Sequence, residues 1–493
     1  MENIKNTMKV CIVGGGSAGW MTATTFCKLL NYDITLVESP DIPNCGVGES
    51  TLQFIQKWID LVGLREYEQK LLVESNGTLK HSIKFTNFLK QNSGGFHYPF
   101  GTLKIDPDAW WSRQLQTGKY SPNDFGTDVN HIGRMAEKGK VSVRDEYAYH
   151  FDATLFGHYL KKHHCQKTNH ILGNVVSCEK FEDGIKSIKL DTGETIKADL
   201  FIDCTGFASK LIGEFLNEPY VSYENLLPNN RAIATHIPYK NKRKQMVPYT
   251  ECTAIENGWV WQIPLWNRLG SGYVYSSKHV SDEDAKKEFI NELKRKKLDS
   301  DGEYKIIPMR VGRYERSWVG NVIAIGLSAG FLEPLEGNGL LTVHENLIDL
   351  YKTLRRGEPS AILKQYYNSA AKVNFDTFAE FLVIHYSFTQ RKDTQYWRDV
   401  FNKEYNQGKA LLENLYGMYG LCAYSRELYQ ESKFKYIEKG FPYIASGMNV
   451  SPYTLPSISL EECKDIKEFT DQWDNIIDTL PSMYDYLKAY VYN

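Results

Sequence analysis

The chain has 493 residues, 42% of them hydrophobic, which is enough to bury a large core, and a formal net charge of −2. That near-neutral balance excludes a broad electrostatic pull toward nucleic acid or an anionic membrane surface. The nine cysteines are odd in number and scattered without a CxxC pair, so they signal neither a disulfide framework nor a zinc site, and a reducing cytoplasm suits them.

The first apolar run, Val10 to Val13, is too short for a secretory leader and leads straight into glycines. No later run approaches membrane-spanning length. Residues 9–38 read as strand, turn, helix and strand: Lys9 to Val13 extended, Ala18 to Leu30 helical, and Asp33 to Val37 extended again before Glu38. Between the first strand and the helix stand Gly14, Gly15, Gly16, Ser17, Ala18, Gly19 and Trp20. Gly14, Gly16 and Gly19 match the GxGxxG spacing of a dinucleotide-binding turn. The first glycine permits the tight turn, the second lets backbone approach a pyrophosphate, and the third allows close helix–strand packing. The helix N-terminus favours the phosphate charge. Glu38, 19 residues after Gly19, is placed to accept hydrogen bonds from a ribose.

Residues 144–205 carry further strand-like runs, including Ser187 to Leu190 and Leu200 to Cys204. Residues 228–280 are rich in alternating strands. Within them Gly258-Trp259-Val260-Trp261-Gln262-Ile263-Pro264 puts both indoles on one face of a strand, and two such residues alone mean core. Gly270-Ser271-Gly272 lacks a third glycine and runs into strand-like residues, so a second dinucleotide turn is not expected. Val322 to Ile325 is a short apolar strand. From Leu340 onward the texture becomes helical, as in Phe375, Phe378, Phe381, Leu382 and His385. No linker, repeat or low-complexity tract intervenes. The expected fold class is α/β: a Rossmann-like dinucleotide-binding module over 1–345, with an insertion near 90–140 contributing to the substrate module. A mostly α-helical substrate module over 346–493 is expected to pack on it as one unit.

Two segments favour FAD over NAD. Asp203-Cys204-Thr205-Gly206-Phe207 resembles the DCxGF turn of flavoproteins, and Val322 to Gly330 resembles their late strand-to-helix turn. Taken with the tryptophan strand, the chain resembles flavin-dependent halogenases of the tryptophan halogenase type, which implies that the module over 1–345 is an FAD-binding Rossmann-like module of the flavin monooxygenase type. The match runs through Gly46 to Thr51, Asn76 to Lys80, Tyr149 to Asp152, the tryptophan strand, Gly272 to Ser277, Arg310 to Arg313, Phe331 to Glu336 and His385 to Arg391.

The resemblance implies an active lysine at Lys80, in the NGxxK segment, and an active glutamate at Glu336, after the EPL triplet. It implies that the amides of Asn338 and Gly339 hold a halide ion. It implies that Ser39, Ser50, Val175, Leu327 and Leu340 touch FAD beside the glycine turn, and that Trp259 and Trp261 shield the flavin from substrate. FADH2 would come from a separate, transiently associating reductase. With oxygen it would convert the halide to hypohalous acid, which Lys80 and Glu336 direct onto a small aromatic substrate. Self-association into a homo-oligomer is left open, and no nucleic acid, membrane or metal ligand is implied. His97, His150 and His385 read as packing histidines rather than a metal set.

Two departures bear on specificity. This chain has Glu336-Gly337-Asn338-Gly339 where the family usually reads Glu-Ser-Thr-Gly. It has Phe96-His97-Tyr98-Pro99-Phe100-Gly101 where the family often has Tyr-His. With His97, Phe100 and Tyr443 as the expected substrate contacts, these changes point to an indole or phenol other than free tryptophan. The extra glycines suggest a roomier turn that takes bromide or iodide at least as well as chloride. The alternative reading is a flavin-dependent aromatic monooxygenase, a hydroxylase. A binding module that has lost catalysis is the other rival.

Overall fold

The computed structural model describes residues 7–42, 48–402, 437–450 and 466–493. Gly46 and Val47, part of one matched segment, lie outside them. The chain forms two compact units that alternate along the sequence. The first comprises Met1–Gly77, Phe151–Tyr223 and Met309–Asp376; the second comprises Thr78–His150, Glu224–Pro308 and Thr377–Asn493. The division near 345 expected from texture therefore contrasts with an interleaved arrangement in three segments each.

The first unit is built on a six-stranded sheet in the order Trp318–Val319, Val322–Ala324, Leu200–Asp203, Lys9–Val13, Asp33–Glu38, Asn169–Leu172. All pairs are parallel except the one at the Trp318–Val319 edge. Central parallel strands are covered on both faces and so read as continuous apolar runs. Val10, Cys11, Ile12 and Val13 are all buried accordingly. Helix Ser17–Leu29 follows the first strand with Gly16 at its N-cap. Sequence periodicity thus located this strand–turn–helix–strand segment to within a residue or so at each boundary.

In the second unit a seven-stranded sheet runs in the order Lys305–Pro308, Arg231–Ile237, Leu269–Tyr275, Gly258–Pro264, Tyr249–Ile255, Ser82–Thr86, Gly95–Pro99. Gly270, Ser271 and Gly272 sit inside one of these strands. One sheet face packs on helix Asp282–Arg295 through Ile233, Val260, Tyr273, Tyr275, Phe289 and Leu293. That helix begins at Ser281, whose hydroxyl accepts from the Asp284 N–H, and carries acids in its first turn and Lys294 and Arg295 in its last. Further helices in this unit include Pro107–Thr117, His131–Glu137, Ile437–Gly447, Ile466–Ile477 and Met483–Tyr490. Arg134 holds Asp474 with two 2.7 Å bonds, tying the second of them to the fourth. No helix among the described residues is long and apolar enough to cross a membrane.

Candidate functional site

In the first unit the glycine turn has the packing its spacing predicts. Gly14 adopts φ +118, and a Cβ there would collide with the Cys204 carbonyl. One at Gly19 would collide with the Gly14 carbonyl. Around Gly16 a Cβ would meet nothing within 4 Å, so the mouth of the turn is open where a pyrophosphate needs backbone access. Ser17 donates to the Ala153 carbonyl at 2.9 Å, while the Ala18 carbonyl accepts from Thr22 at 2.7 Å. Trp20 is buried, its indole N–H has no hydrogen-bond partner among the described residues, and Lys161 lies 5.2 Å from its ring.

Glu38 ends the second strand. His170 Nε2 is 2.8 Å and Lys161 Nζ 3.7 Å from its Oε2, while Oε1 is turned toward Gly15. A carboxylate offers several acceptor positions, so these partners leave capacity for a ribose. Ser39 donates to Asn174 Oδ1 at 2.6 Å. Buried Asp203 organises the DCxGF turn by accepting from the N–H groups of Thr205, Leu211 and Ile212. Val175 opens strand Val175–Phe181, and Leu327 lies in the turn Gly326–Ser328. An open glycine mouth, a placed acid and a helix N-terminus together fit the dinucleotide of FAD.

Glu336 is fully buried at the end of the turn Pro334–Glu336. Asn338 and Gly339 come next, and Leu340 caps helix Leu341–Leu354, so their amides lie at a positive helix end. Asn338 is buried, and its Oδ1 has no hydrogen-bond partner among the described residues. The glycines do not open the turn. Gly337 takes φ +67, and a Cβ there would collide with Ser50. A Cβ at Gly339 would collide with the Glu49 carboxylate. The roominess expected from Gly337 and Gly339 is thus filled by neighbours from a distant strand. Glu49, not singled out from the sequence, was flagged there only by standing beside Ser50.

In the second unit Lys80 is fully buried on strand Thr78–Lys80, with its Nζ 5.4 Å from the Phe100 ring. The strand pairs with Ala148–Phe151, Thr78 opposite His150 and Lys80 opposite Ala148. His150 Nδ1 lies 3.2 Å from the Thr78 hydroxyl and Nε2 2.8 Å from that of Thr250. Burial, and then the Lys80 charge, hold His150 well below the ordinary histidine range. Thr78 in turn donates to the Pro264 carbonyl at 2.6 Å.

Trp259 and Trp261 are both buried, with ring centroids 6.3 Å apart. Trp261 pairs with Gly272, where a Cβ would collide with its six-membered ring. The Trp259 indole N–H has no partner among the described residues. Registers across the sheet carry this face from Trp261 through Cys252 and Phe85 to Phe96, and Tyr98, two residues on, shares it. His97 points the other way. Its Nδ1 lies 2.8 Å from Ser82 Oγ and its Nε2 2.6 Å from Glu137 Oε2. Both nitrogens are therefore engaged within the protein, and Tyr98 is the ring on the tryptophan face. Tyr98 lies 5.5 Å from Tyr443, whose hydroxyl accepts from Asn130 at 2.9 Å.

Comparison with known proteins decides the family. A model for tryptophan halogenases matches residues 9–452. The chain belongs to the tryptophan halogenase family. Tryptophan 6-halogenase SttH of Streptomyces toxytricini is 32% identical over 99% of both chains. The crystal structure of SttH superposes with a TM-score of 0.84 over 98% of this chain and 100% of that one. The apo structure of VirX1 gives 0.88 at 32% identity, covering 99% and 100%. Xcc4156, a flavin-dependent halogenase from Xanthomonas campestris, gives 0.87 at 26% identity, covering 98% of each. This member of the tryptophan halogenase family is a flavoprotein and a halogenating enzyme of the oxidoreductase type.

Proposed function

We propose that this protein halogenates a small electron-rich aromatic, an indole or phenol, with Lys80 delivering the halogen and Glu336 accepting the ring proton. The observation that carries the reading is a lysine buried completely beneath an aromatic ring, on a strand fastened through Thr78 to the tryptophan strand. Lysine is almost never fully buried unless its charge is put to use or paired, because taking it out of water is costly.

Bound FAD, reduced by a separate transient reductase, would supply the oxidising chemistry that turns halide into hypohalous acid. Gly14, Gly16, Gly19, Ser17, Ala18, Trp20 and Glu38 would hold its dinucleotide half, with Ser39, Ser50, Val175, Leu327 and Leu340 as further contacts. The amides of Asn338 and Gly339 would hold the halide, since N–H groups at a helix start bind an anion while letting it leave. Trp259 and Trp261 would keep bulky substrate from the flavin. Lys80 would hydrogen-bond the hypohalous acid as ammonium, or carry the halogen as amine. Glu336 would polarise the same acid and act as base while aromaticity returns. Phe100 and Tyr443, with Tyr98 in place of His97, would line the substrate.

Bromide or iodide should serve at least as well as chloride, because both shed water and are oxidised more readily. The packing of Ser50 and Glu49 removes turn looseness as a reason. Purified protein with a flavin reductase, FAD and equimolar halides should convert an accepted indole or phenol to halogenated product with brominated or iodinated mass dominant. A hydroxylated product, with or without halide, would establish the monooxygenase reading instead.

A further inference from the structure

Cys27 lies in the last turn of helix Ser17–Leu29, and Cys165 ends helix Ala153–His164. Thr24 precedes Cys27 by three residues and shares its helix face. Its hydroxyl is 3.2 Å from Cys165 Sγ. In return Thr168 Oγ1 is 3.4 Å from Cys27 Sγ, and Thr168 is held in a turn by its N–H donating to the Cys165 carbonyl at 3.0 Å. The two Cys–Thr pairs interlock, each thiol resting on a threonine one turn from the other cysteine. Both thiols are free, Cys165 buried and Cys27 partly exposed. At the opposite end of the same two helices, Ser17 donates to the Ala153 carbonyl at 2.9 Å.

The two sulfurs differ in character. The neighbouring Cys165 draws the Cys27 thiol below the ordinary range against its partial burial, helped by Thr168, Lys167 and Lys28. Cys165 is pushed up by Cys27 and by burial. Elsewhere burial pushes Cys11 up to about 12 and raises Cys204 and Cys178. A partly exposed thiol with a buried thiol on the facing turn is the arrangement of an attacking and a resolving cysteine.

We propose that Cys27 and Cys165 are a reversible redox dithiol that takes a hydroperoxide as oxidant and staples the dinucleotide-binding helix to helix Ala153–His164. The Cys27 thiolate attacks one oxygen of hydrogen peroxide. The O–O bond breaks, hydroxide leaves and is protonated to water, and Cys27 becomes a sulfenic acid. Cys165 then attacks the Cys27 sulfur. An S–S bond forms as the S–O bond breaks, and the hydroxyl departs as water with the Cys165 proton. Two thiols lose two electrons in all and one peroxide becomes two waters. The link closes a very long loop in the unfolded chain, which favours the folded state.

The test uses the full-length protein with and without stoichiometric hydrogen peroxide, alkylated and digested for mass spectrometry. A peptide pair joined through Cys27 and Cys165, reversed by dithiothreitol, is expected. The unfolding midpoint should rise by several degrees in the oxidised wild type and stay unmoved in Cys27→Ser. In Cys165→Ser, a dimedone adduct should accumulate at Cys27. Peroxide that leaves Cys27 unmodified, or carries it to sulfinic acid in the wild type without any joined peptide, overturns the proposal.

Discussion

The Thr78 hydroxyl donates to the Pro264 carbonyl at 2.6 Å. This one bond fastens the strand that carries Lys80 to the end of the strand that carries Trp259 and Trp261. Thr78→Val keeps the shape and removes the donor, leaving a buried carbonyl short of a partner. A loss of about 1–3 kcal/mol is expected, read as a lower urea midpoint with unchanged slope.

Gly272 is where the Trp261 ring rests. Gly272→Ala should force the indole off its position and destabilise the sheet by about 1–3 kcal/mol, as overpacking does. The thermal midpoint should fall and the tryptophan emission shift. An unaltered midpoint and spectrum would mean the ring has room to spare.

Lys80→Ala should abolish halogenated product while oxidation of reduced flavin continues, because the lysine acts only after hypohalous acid has formed. Oxygen consumption and product mass, followed together, separate the two events. Full product yield in the variant would remove Lys80 from its proposed role.

Glu336→Gln preserves the buried shape and loses the base. A general base contributes roughly a hundredfold to ten-thousandfold, so single-turnover halogenation should slow by about that factor without vanishing. The measurement is the rate of product formation with the halide saturating.

Stability should fall on the acid side of neutrality. Burial lowers His81 to about 4, with its Nδ1 3.0 Å from the Glu146 carbonyl. Its folded pKa lies below its unfolded value of ~6.5. The unfolded chain therefore binds more protons between those limits, and stability drops as pH falls through that window. The loss is on the order of 3 kcal/mol and levels off below about 4. Glu137, lowered to about 2 chiefly by its bond with His97, adds stability above the ordinary carboxylate range that is lost at still lower pH. Urea midpoints between pH 8 and 5 should show the first loss, and His81→Asn should reduce it, the remainder coming from other buried histidines such as His150.

Local features were legible because they are encoded within a few residues. The glycine turn needs only Gly14, Gly16, Gly19 and the strand before them, and its backbone angles follow from its own composition. The period of two placed Trp259 and Trp261 on one face, and on strand Gly95–Pro99 the same period puts His97 and Tyr98 on opposite faces. Which of those two faces is which was not local. Ser82 and Glu137 claim His97, whereas sheet register puts Tyr98 beside the tryptophan face. The turn after Glu336 teaches the same lesson. Two glycines read in isolation mean freedom, but Ser50 and Glu49, nearly three hundred residues earlier, occupy the space their missing side chains leave. Sequence by itself determined the family, the dinucleotide turn and the candidate lysine and glutamate, since chemistry of that kind is carried by residue type and short spacing. Tertiary structure alone decided what buries Lys80, what fills the turn and which ring faces the tryptophans, because packing joins residues that spacing along the chain leaves unrelated.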